Sequence, residues 1–494
     1  MAQIRNKKLS DLGLTALDGE DIQVMGLASD SRSVKKGYLF AALNGQNVHG
    51  VKYVNQAVDA GAIAILTDKE GYKLKGEYLR QKTLAVIVVE DSRQTLSYAA
   101  ALWFESQPGT MIAVTGTNGK TSVASFTRQI WEELGFKAVN IGTNGVQGVV
   151  TRFVLQTTPD PIILHGILSE LCQFGVTHAA VEASSHGLDQ RRLDGVGLMA
   201  AGFTNLSQDH LDYHIDLDTY FSVKMDLFIR VLMHGGTAVI NMDDVWGEKV
   251  LFITKDRDIR SFTIGKKMDC DLRLLNQKFV TNGQDLRFSY EGKEYQVRLE
   301  LIGGFQGSNV LMAAGLAIAS GCNALKVFGC LSRIKTVSGR MELVTCRKNG
   351  GAIFVDYAHT PDAIEVALKA IRLHALGRVL IVFGSGGDRD KTKRISMGAA
   401  AQKWADKVFI TDDNPRSEDP YEIRSMVKLG APKAFEVPDR AEAILRAISE
   451  LANGDVLLIA GKGHETGQII GDDVLPFNDS EQASISVAAL DGII

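Results

Sequence analysis

Cysteine is scarce and poorly placed for any shared task. Five residues, Cys172, Cys270, Cys322, Cys330 and Cys346, are scattered over 494 positions; the number is odd and no two form a C-x-x-C pair. This excludes a disulfide framework and gives no zinc-site spacing, so the thiols read as reduced core residues of a cytoplasmic protein. No apolar run reaches the roughly 20 residues needed to span a membrane. The first residues are polar and carry no secretion signal. Neither sign of charge dominates. With a net charge of −4 there is no global basic field to recruit nucleic acid, and an anionic ligand has to be held by local lysines, arginines and backbone N–H groups. Short-period repeats and low-complexity tracts are also absent.

What is present is an ordinary globular composition, 45% hydrophobic and 23% charged. The length suggests about three domains. Apolar runs alternate with helix-like segments throughout, which argues an α/β fold. Residues 1–107 read as a small α/β domain, with strands at 62–67 and 84–89 and helices at 54–60 and 95–103. Residues 108–333 read as a mostly parallel sheet flanked by helices, with strands at 111–114, 138–141, 179–182, 200–205 and 237–241. Residues 334–494 restart the alternation as a Rossmann-like sheet, with strands at 352–356, 379–383, 407–410 and 456–459 and helices at 361–373, 394–404 and 440–451.

The most informative stretch opens the second unit. An apolar strand ends at Val114, and Gly116-Thr117-Asn118-Gly119-Lys120-Thr121-Ser122 leads into a helix. A glycine-rich loop between a strand and a helix N-terminus offers backbone N–H groups to phosphate. Lys120 then reaches the outer phosphates and Thr121 holds Mg²⁺. The usual phosphate loop has a further glycine five residues before Gly119, where this chain has Val114, so the loop is a shortened variant.

Other strand ends carry polar groups. Glu182-Ala183-Ser184-Ser185-His186-Gly187 ends a buried strand in a carboxylate and hydroxyls, and Glu182 is a natural second anchor for Mg²⁺, which prefers hard oxygen ligands; the plainer reading is a solvated strand end. Asp209, His210, Asp212 and His214 crowd the segment after 200–205. A zinc site there lacks cysteine, and a single histidine joining an oxygen-rich Mg²⁺ site is more economical. Lys224 lies on an amphipathic helix and by composition alone is a surface lysine. Three loops of mixed charge, 384–391, 411–416 and 461–465, follow strand candidates in the third unit. Asp413 and Arg416 offer opposite charges within four residues, which suits a zwitterionic amino acid or, alternatively, makes a surface ion pair worth little.

Taken in order, these strings resemble the Mur ligases, the ATP-dependent amide-forming enzymes of peptidoglycan precursor synthesis. The resemblance runs through Gly116–Thr121, Glu182–Gly187, Asn205-Leu206 with Asp209-His210-Leu211-Asp212, Asn309 with Ala313-Ala314, and Gly339-Arg340-Met341-Glu342. It continues through Asp356-Tyr357-Ala358-His359-Thr360-Pro361 and Gly461-Lys462-Gly463-His464-Glu465, covering essentially the whole chain. Within the family the chain most resembles members that add the third peptide residue. It implies three domains: UDP-sugar-binding, a central P-loop ATPase, and a Rossmann-like amino-acid domain.

The resemblance also implies roles. Ser29 and Ser31, with Gln46, Asn47 and Val48, meet the UDP end of UDP-N-acetylmuramoyl-L-alanyl-D-glutamate. Gln156, Thr157, Thr158, Ser184, Gln190 and Arg192 hold its muramoyl-dipeptide. Gly116 to Ser122, Asn309, Arg340 and His359 serve ATP. Arg389, Asp413, Asn414, Pro415, Arg416, Gly461 and Glu465 hold meso-diaminopimelate. Thr121, Glu182, His210 and Lys224 serve Mg²⁺, with Lys224 carbamylated; Lys120, His210 and Lys224 are the catalytic set. The partners are small molecules, and a monomer is expected.

Arg416 suits the second carboxylate of meso-diaminopimelate through a bidentate, charge-assisted pair and repels the ammonium of L-lysine. One departure concerns the family's Phe-Asn-x-x-Asn element, here Phe305-Gln306-Gly307-Ser308-Asn309, where the longer Gln306 alters an expected nucleotide contact. The alternatives are the L-lysine-adding enzyme, a folylpolyglutamate synthase, which should lack the 413–416 string, and an inactive nucleotide-binding scaffold. The scaffold predicts damage at Lys120, Thr121, Glu182 or Lys224, and all four are intact.

Overall fold

The structure, a computed structural model, describes residues 6–45, 48–210, 213–280 and 283–492. The chain divides into two compact units whose segments interleave. One takes in residues through 115 with 135–201 and 223–236; the other takes in 116–134, 202–222 and 237 onward. No helix among the described residues is long and apolar enough to cross a membrane.

The first unit begins with a four-stranded parallel sheet, Gly26–Ala28, Tyr38–Ala41, Ala64–Asp68 and Ala85–Val89, in sequential order. Alternate residues of these strands point to opposite faces. Leu39, Ala41, Leu66 and Ile87 pack on helix Ser92–Phe104 through Leu96, Ala99 and Trp103. Phe40, Ile65 and Val86 pack the other way, with Val54, Ala57 and Leu79. A second parallel group follows. Thr110–Thr115 pairs with His178–Glu182, which pairs with Ala138–Gly142, and Gly145–Gly148 closes the edge antiparallel. These strands are buried on both faces, as parallel sheets are, and hence read as continuous apolar runs. Helix Pro161–Gln173 starts where Asp160 accepts from Ile162 N and Pro161 needs no partner for its missing N–H.

In the second unit, helix Lys120–Glu133 packs on helix Gly304–Ala319. Strand Leu232–Asn241 pairs through residues 237–241 with Arg260–Gly265, in parallel. The expected alternation then fails: Leu272–Val280, Gly283–Tyr290 and Lys293–Leu299 form an antiparallel meander. Its second turn is a two-residue hairpin in which Glu291 and Gly292 both take positive φ, 48° and 73°. The tight turn returns the chain directly, with no room for a crossover helix.

The remaining chain builds a six-stranded sheet in the order Glu342–Cys346, Ala352–Asp356, Val456–Ala460, Val379–Phe383, Lys407–Ile410, Phe435–Glu436; only the first is antiparallel. Helices Pro361–Arg372, Lys393–Trp404 and Pro420–Gly430 cover one face, and Arg440–Ser449 and Asp479–Leu490 the other. Because the four central strands run the same way, the loops after Asp356, Ala460, Phe383 and Ile410 all emerge at one edge of the sheet. In an open α/β sheet that edge is where ligands collect.

Candidate active site

The glycine-rich loop is held shut from its own unit. Thr117 N and Asn118 N donate to the carbonyl and the side-chain Oδ1 of Asn205, each at 2.9 Å. Thr204 Oγ1 and Asn205 Nδ2 donate back to Asn118 O at 2.6 and 3.1 Å. The fit leaves no room for side chains at the glycines. Gly116 has φ 144°, and a Cβ there would lie 1.9 Å from Thr204 Oγ1; Gly119 has φ 86°, with Asn309 Oδ1 at 2.8 Å from its Cβ position. Val114, where the usual phosphate loop has a further glycine, is part of the preceding strand. Lys120 Nζ donates to the carbonyls of Gly116 and Thr117 at 2.9 and 2.8 Å, lying over the loop. Ser122 is buried in the first helical turn.

Around this loop the same unit gathers the other expected nucleotide residues. Arg340 Nη2 donates to Thr121 Oγ1 at 3.0 Å, and its guanidinium stacks 4.5 Å from the Tyr357 ring. Burial and the nearby Glu465 charge push the Tyr357 phenol up to about 12, so it stays neutral. Gln306 is buried, and its Oε1 accepts from Asn309 Nδ2 at 3.0 Å. The longer side chain thus orients Asn309, which faces Gly119. His359 and His210 flank Asp209, their Nε2 atoms 3.9 and 3.5 Å from its Oδ2, and Lys393 Nζ is 3.8 Å from Oδ1. Burial alone would raise the Asp209 carboxyl, but the positive field of His359, His210, Lys393 and Lys120 wins and holds it far below the carboxylate range. Desolvation pulls His359 below its ordinary value, against the attraction of Asp209. His214, weighed as a ligand, instead packs on Tyr220 and Tyr213, with ring centroids 5.0 and 4.9 Å away. Asp212 lies outside the described residues.

The first unit brings together the residues expected to hold the muramoyl-dipeptide. Arg192 is the hub: Nη1 donates to Gln156 Oε1 at 2.8 Å and Thr158 O at 2.6 Å, and Nη2 donates to Gln190 Oε1 at 2.7 Å. Thr158 Oγ1 donates to Glu182 O at 2.7 Å and sits 3.0 Å from Ser184 Oγ. The Glu182 carboxylate accepts from Thr143 N at 2.9 Å and Thr143 Oγ1 at 3.1 Å, and Thr143 in turn meets Thr157 Oγ1 at 3.2 Å. Ser29 Oγ donates to Asp160 Oδ2 at 3.1 Å, while the other Asp160 oxygen caps helix Pro161–Gln173. Ser31 Oγ donates to Gln56 Oε1 at 2.9 Å. Val48 O accepts from Gly45 N at 3.2 Å, and Gln46 and Asn47 lie outside the described residues. Lys224 is 1% exposed rather than at the surface.

At the sheet edge of the C-terminal half, Arg416 and Arg389 both approach Gly386: a Cβ there would be 3.0 Å from Arg416 Nη1 and 3.8 Å from Arg389 Cγ. Burial lowers the Arg416 pKa and the Arg389 charge lowers it further, against the attraction of Asp413, Glu465 and Asp388. Arg416 Nη1 donates to Gly387 O at 2.8 Å, and Arg389 Nη1 to Asp388 O at 3.1 Å. Opposite in charge, Asp413 lies against Gly461, whose Cβ position is 2.6 Å from Asp413 Oδ2. Asn414 Nδ2 donates to Glu465 Oε2 at 2.8 Å. Pro415 is buried, and its carbonyl packs on Gly387.

The expected metal residues divide between the units, Glu182 and Lys224 in one and Thr121 and His210 in the other. Among the described residues no three His, Cys, Asp or Glu side chains converge as a ready-made metal cluster. The donors present are a carboxylate, a hydroxyl, an imidazole and a buried lysine that carbamylation would turn into a carboxylate. The carboxylate and hydroxyl are hard oxygens of the kind Mg²⁺ takes, and the lysine would join them only as a carbamate.

Sequence reasoning passed over Thr143, Asp160 and Lys393, and named Asp356 and Lys462 only inside family strings, without a role. Asp356 was visible as the charged end of an apolar strand; its oxygens accept from Met341 N at 2.7 Å and Ala358 N at 2.8 Å. Thr143, Asp160 and Lys393 carried no local signal, and the string around Lys462 gave no sign that its side chain is buried.

These arrangements define a class. Residues 23–103 match the Mur ligase family catalytic domain, 114–317 the Mur ligase middle domain and 339–463 the Mur ligase glutamate ligase domain. The chain belongs to the Mur ligase family. Its relatives include the UDP-N-acetylmuramoyl-L-alanyl-D-glutamate--2,6-diaminopimelate ligases of Bradyrhizobium diazoefficiens, 48% identical with 95% of this chain and 96% of the relative covered, and of Agrobacterium fabrum, 45% identical over 99% and 97%. A solved structure of a ligase of the same name superposes with TM-score 0.70 at 29% identity, covering 98% of this chain and 99% of its own.

Proposed function

We propose that this chain is an ATP-dependent ligase that joins meso-diaminopimelate to the D-glutamyl γ-carboxylate of UDP-N-acetylmuramoyl-L-alanyl-D-glutamate, as a soluble cytoplasmic monomer of three domains at 1–107, 108–333 and 334–494. The observation that carries the choice of amino acid is the Arg389–Arg416 pair beside Asp413, Asn414 and Glu465. A zwitterion uses one cation and one carboxylate. A second guanidinium within the same frame favours a ligand with a further carboxylate, and L-lysine would bring an ammonium there instead.

The chemistry follows from the poor leaving group of a carboxylate. Phosphorylation of the γ-carboxylate by ATP makes an acyl phosphate; the amine attacks, a tetrahedral adduct forms, and phosphate leaves. Lys120 and the N–H groups of the 116–121 loop stabilise charge on the transferred phosphoryl group. Arg340, Asn309 and His359 orient the nucleotide, with Gln306 holding the Asn309 amide. Arg192, Thr158 and Ser184 orient the acceptor dipeptide, and Ser29 and Ser31 its UDP end. Mg²⁺ held by Thr121 and Glu182, with His210 and carbamylated Lys224 as further ligands, would supply charge neutralisation between the acceptor and the phosphates.

A phosphate-release assay with UDP-N-acetylmuramoyl-L-alanyl-D-glutamate, ATP and each amino acid in turn tests the reading. Release dependent on meso-diaminopimelate and at background with L-lysine is the expected result. Equal release with L-lysine would overturn the amino-acid assignment, and no release with either would overturn the ligase.

A further inference from the structure

We infer that Lys462 is a positioning residue for amino-acid recognition, one that fixes which atoms Asn414 and Glu465 present to the ligand. The inference rests on the reading of this sheet edge as the amino-acid site.

Lys462 follows strand Val456–Ala460 and is 0% exposed, while Glu465, three residues on, keeps 30% of its side chain open. A fully buried ammonium is stable only with its donors satisfied and an anion beside it. Lys462 Nζ donates to Glu465 Oε2 at 2.9 Å and to Asn414 Oδ1 at 3.0 Å. A second donor, Ile469 N, also reaches Asn414 Oδ1, at 2.9 Å. Two donors on one atom settle the amide orientation: the oxygen faces Lys462 and Ile469, and Nδ2 faces Glu465.

The consequence for the ligand lies in what remains. Both bonds to Glu465, from Lys462 and from Asn414 Nδ2, land on Oε2. Oε1 is the oxygen left to meet a ligand ammonium, and the second Asn414 amide hydrogen is left to meet a carboxylate or carbonyl. Lys462 therefore converts two flexible side chains into a fixed pair of one acceptor and one donor. The hairpin of Gly467–Ile470 and Asp473–Pro476, whose Ile469 N shares Asn414 Oδ1 with Lys462, continues to the cationic side of the site. Arg416 N donates to Ile469 O at 3.1 Å, and Gly471 N donates to Arg416 O at 2.8 Å, which holds Arg416 at φ 52°. Asn414 and Glu465 thus share one anchor that is itself fully buried, and Arg416 is tied to the same Asn414 oxygen through Ile469.

The test is steady-state kinetics of K462M, which keeps the volume and removes the charge and donors. Loss of a charge-assisted bond predicts an increase of about tenfold or more in the KM for meso-diaminopimelate. Values of kcat within about threefold of wild type, and unchanged KM for ATP and for the UDP-linked dipeptide, are expected alongside. In an E465Q background the same substitution should cost clearly less than it does alone, because the Glu465 half of its action has been cut and only the Asn414 half remains. An unchanged KM for meso-diaminopimelate in K462M, a rise in all three KM values together, or fully additive penalties in the double variant would overturn the role. If K462M does not fold, K462Q carries the same comparison, and failure of both to fold would make the lysine purely structural. Failure of the functional reading is separate: in that case the wild-type chain itself does not ligate meso-diaminopimelate.

Discussion

Lys224 shows how one residue can reverse its expected character. By composition a lysine belongs at the surface; here it is 1% exposed. In the proposed mechanism, an ammonium beside a divalent cation would repel the ion, whereas a carbamate would attract it. K224A should abolish turnover, and a short carboxylic acid in the assay should restore part of it; full activity in the variant would remove the carbamate from the mechanism. Arg416 makes the complementary case. R416A should raise the KM for meso-diaminopimelate by roughly 10- to 100-fold while leaving the KM for ATP unchanged, since what is lost is a charge-assisted pair to one substrate. Arg416 was legible in the sequence because its neighbours Asp413, Asn414 and Pro415 form a recognisable string. Lys462 was not, because a lysine in a glycine-rich loop looks solvated until the packing around it is known.

Single elements were read well where apolar runs and caps agreed. The strands at Ala352–Asp356, Val379–Phe383 and Lys407–Ile410 fall where the apolar runs do. Helix Pro361–Arg372 begins at a Thr360 cap followed by proline. The meander over 272–299 was missed because its strands alternate apolar and polar residues on a half-exposed edge. The signal that could have found it is the Glu291-Gly292 pair between two such runs. A prediction at this scale concerns the loop and helix joined by Glu418. Its carboxylate accepts from Arg394 Nη1 and Nη2 at 3.0 and 2.9 Å, and Lys391 Nζ lies 2.9 Å away. The Arg394 bond above all, with Lys391 and the Asp388 N–H, holds the carboxyl down at about 2, below the ordinary glutamate value of 4.5. A depressed carboxylate stabilises the fold above its unfolded pKa and loses that contribution as pH falls through the folded value. Thermal denaturation should therefore show Tm falling between about pH 4.5 and 2, and E418Q should remove part of that slope while lowering Tm at pH 7. An identical pH–Tm profile in E418Q would sink the assignment.

At the scale of the molecule, the last helix is locked to the sheet by an ion pair with no exposure on either side. Arg440 donates through Nε and Nη2 to both Asp479 oxygens at 2.7 Å, and Nη2 also reaches Ala460 O at 3.0 Å. Removing one partner strands a buried charge, so D479N should cost about 3–5 kcal/mol in denaturant unfolding; a cost below about 1 kcal/mol would mean that water reaches the pair. Arg440 holds the carbonyl of Ala460, the residue before Gly461, so the same lock steadies the loop that follows. The sequence by itself determined the chemistry of each loop: glycines with a lysine and a threonine for phosphate, an arginine-bearing string for an amino acid, apolar runs that end in charge. Those are local properties, set by residue type and spacing. Only the tertiary structure decided that the strand at 456–460 inserts between 352–356 and 379–383, bringing Glu465 and Lys462 to Asn414. It also decided which lysines are buried and what Gln306 holds. Pairing between segments a hundred residues apart is set by the packing of whole faces, and no window of neighbouring residues encodes it.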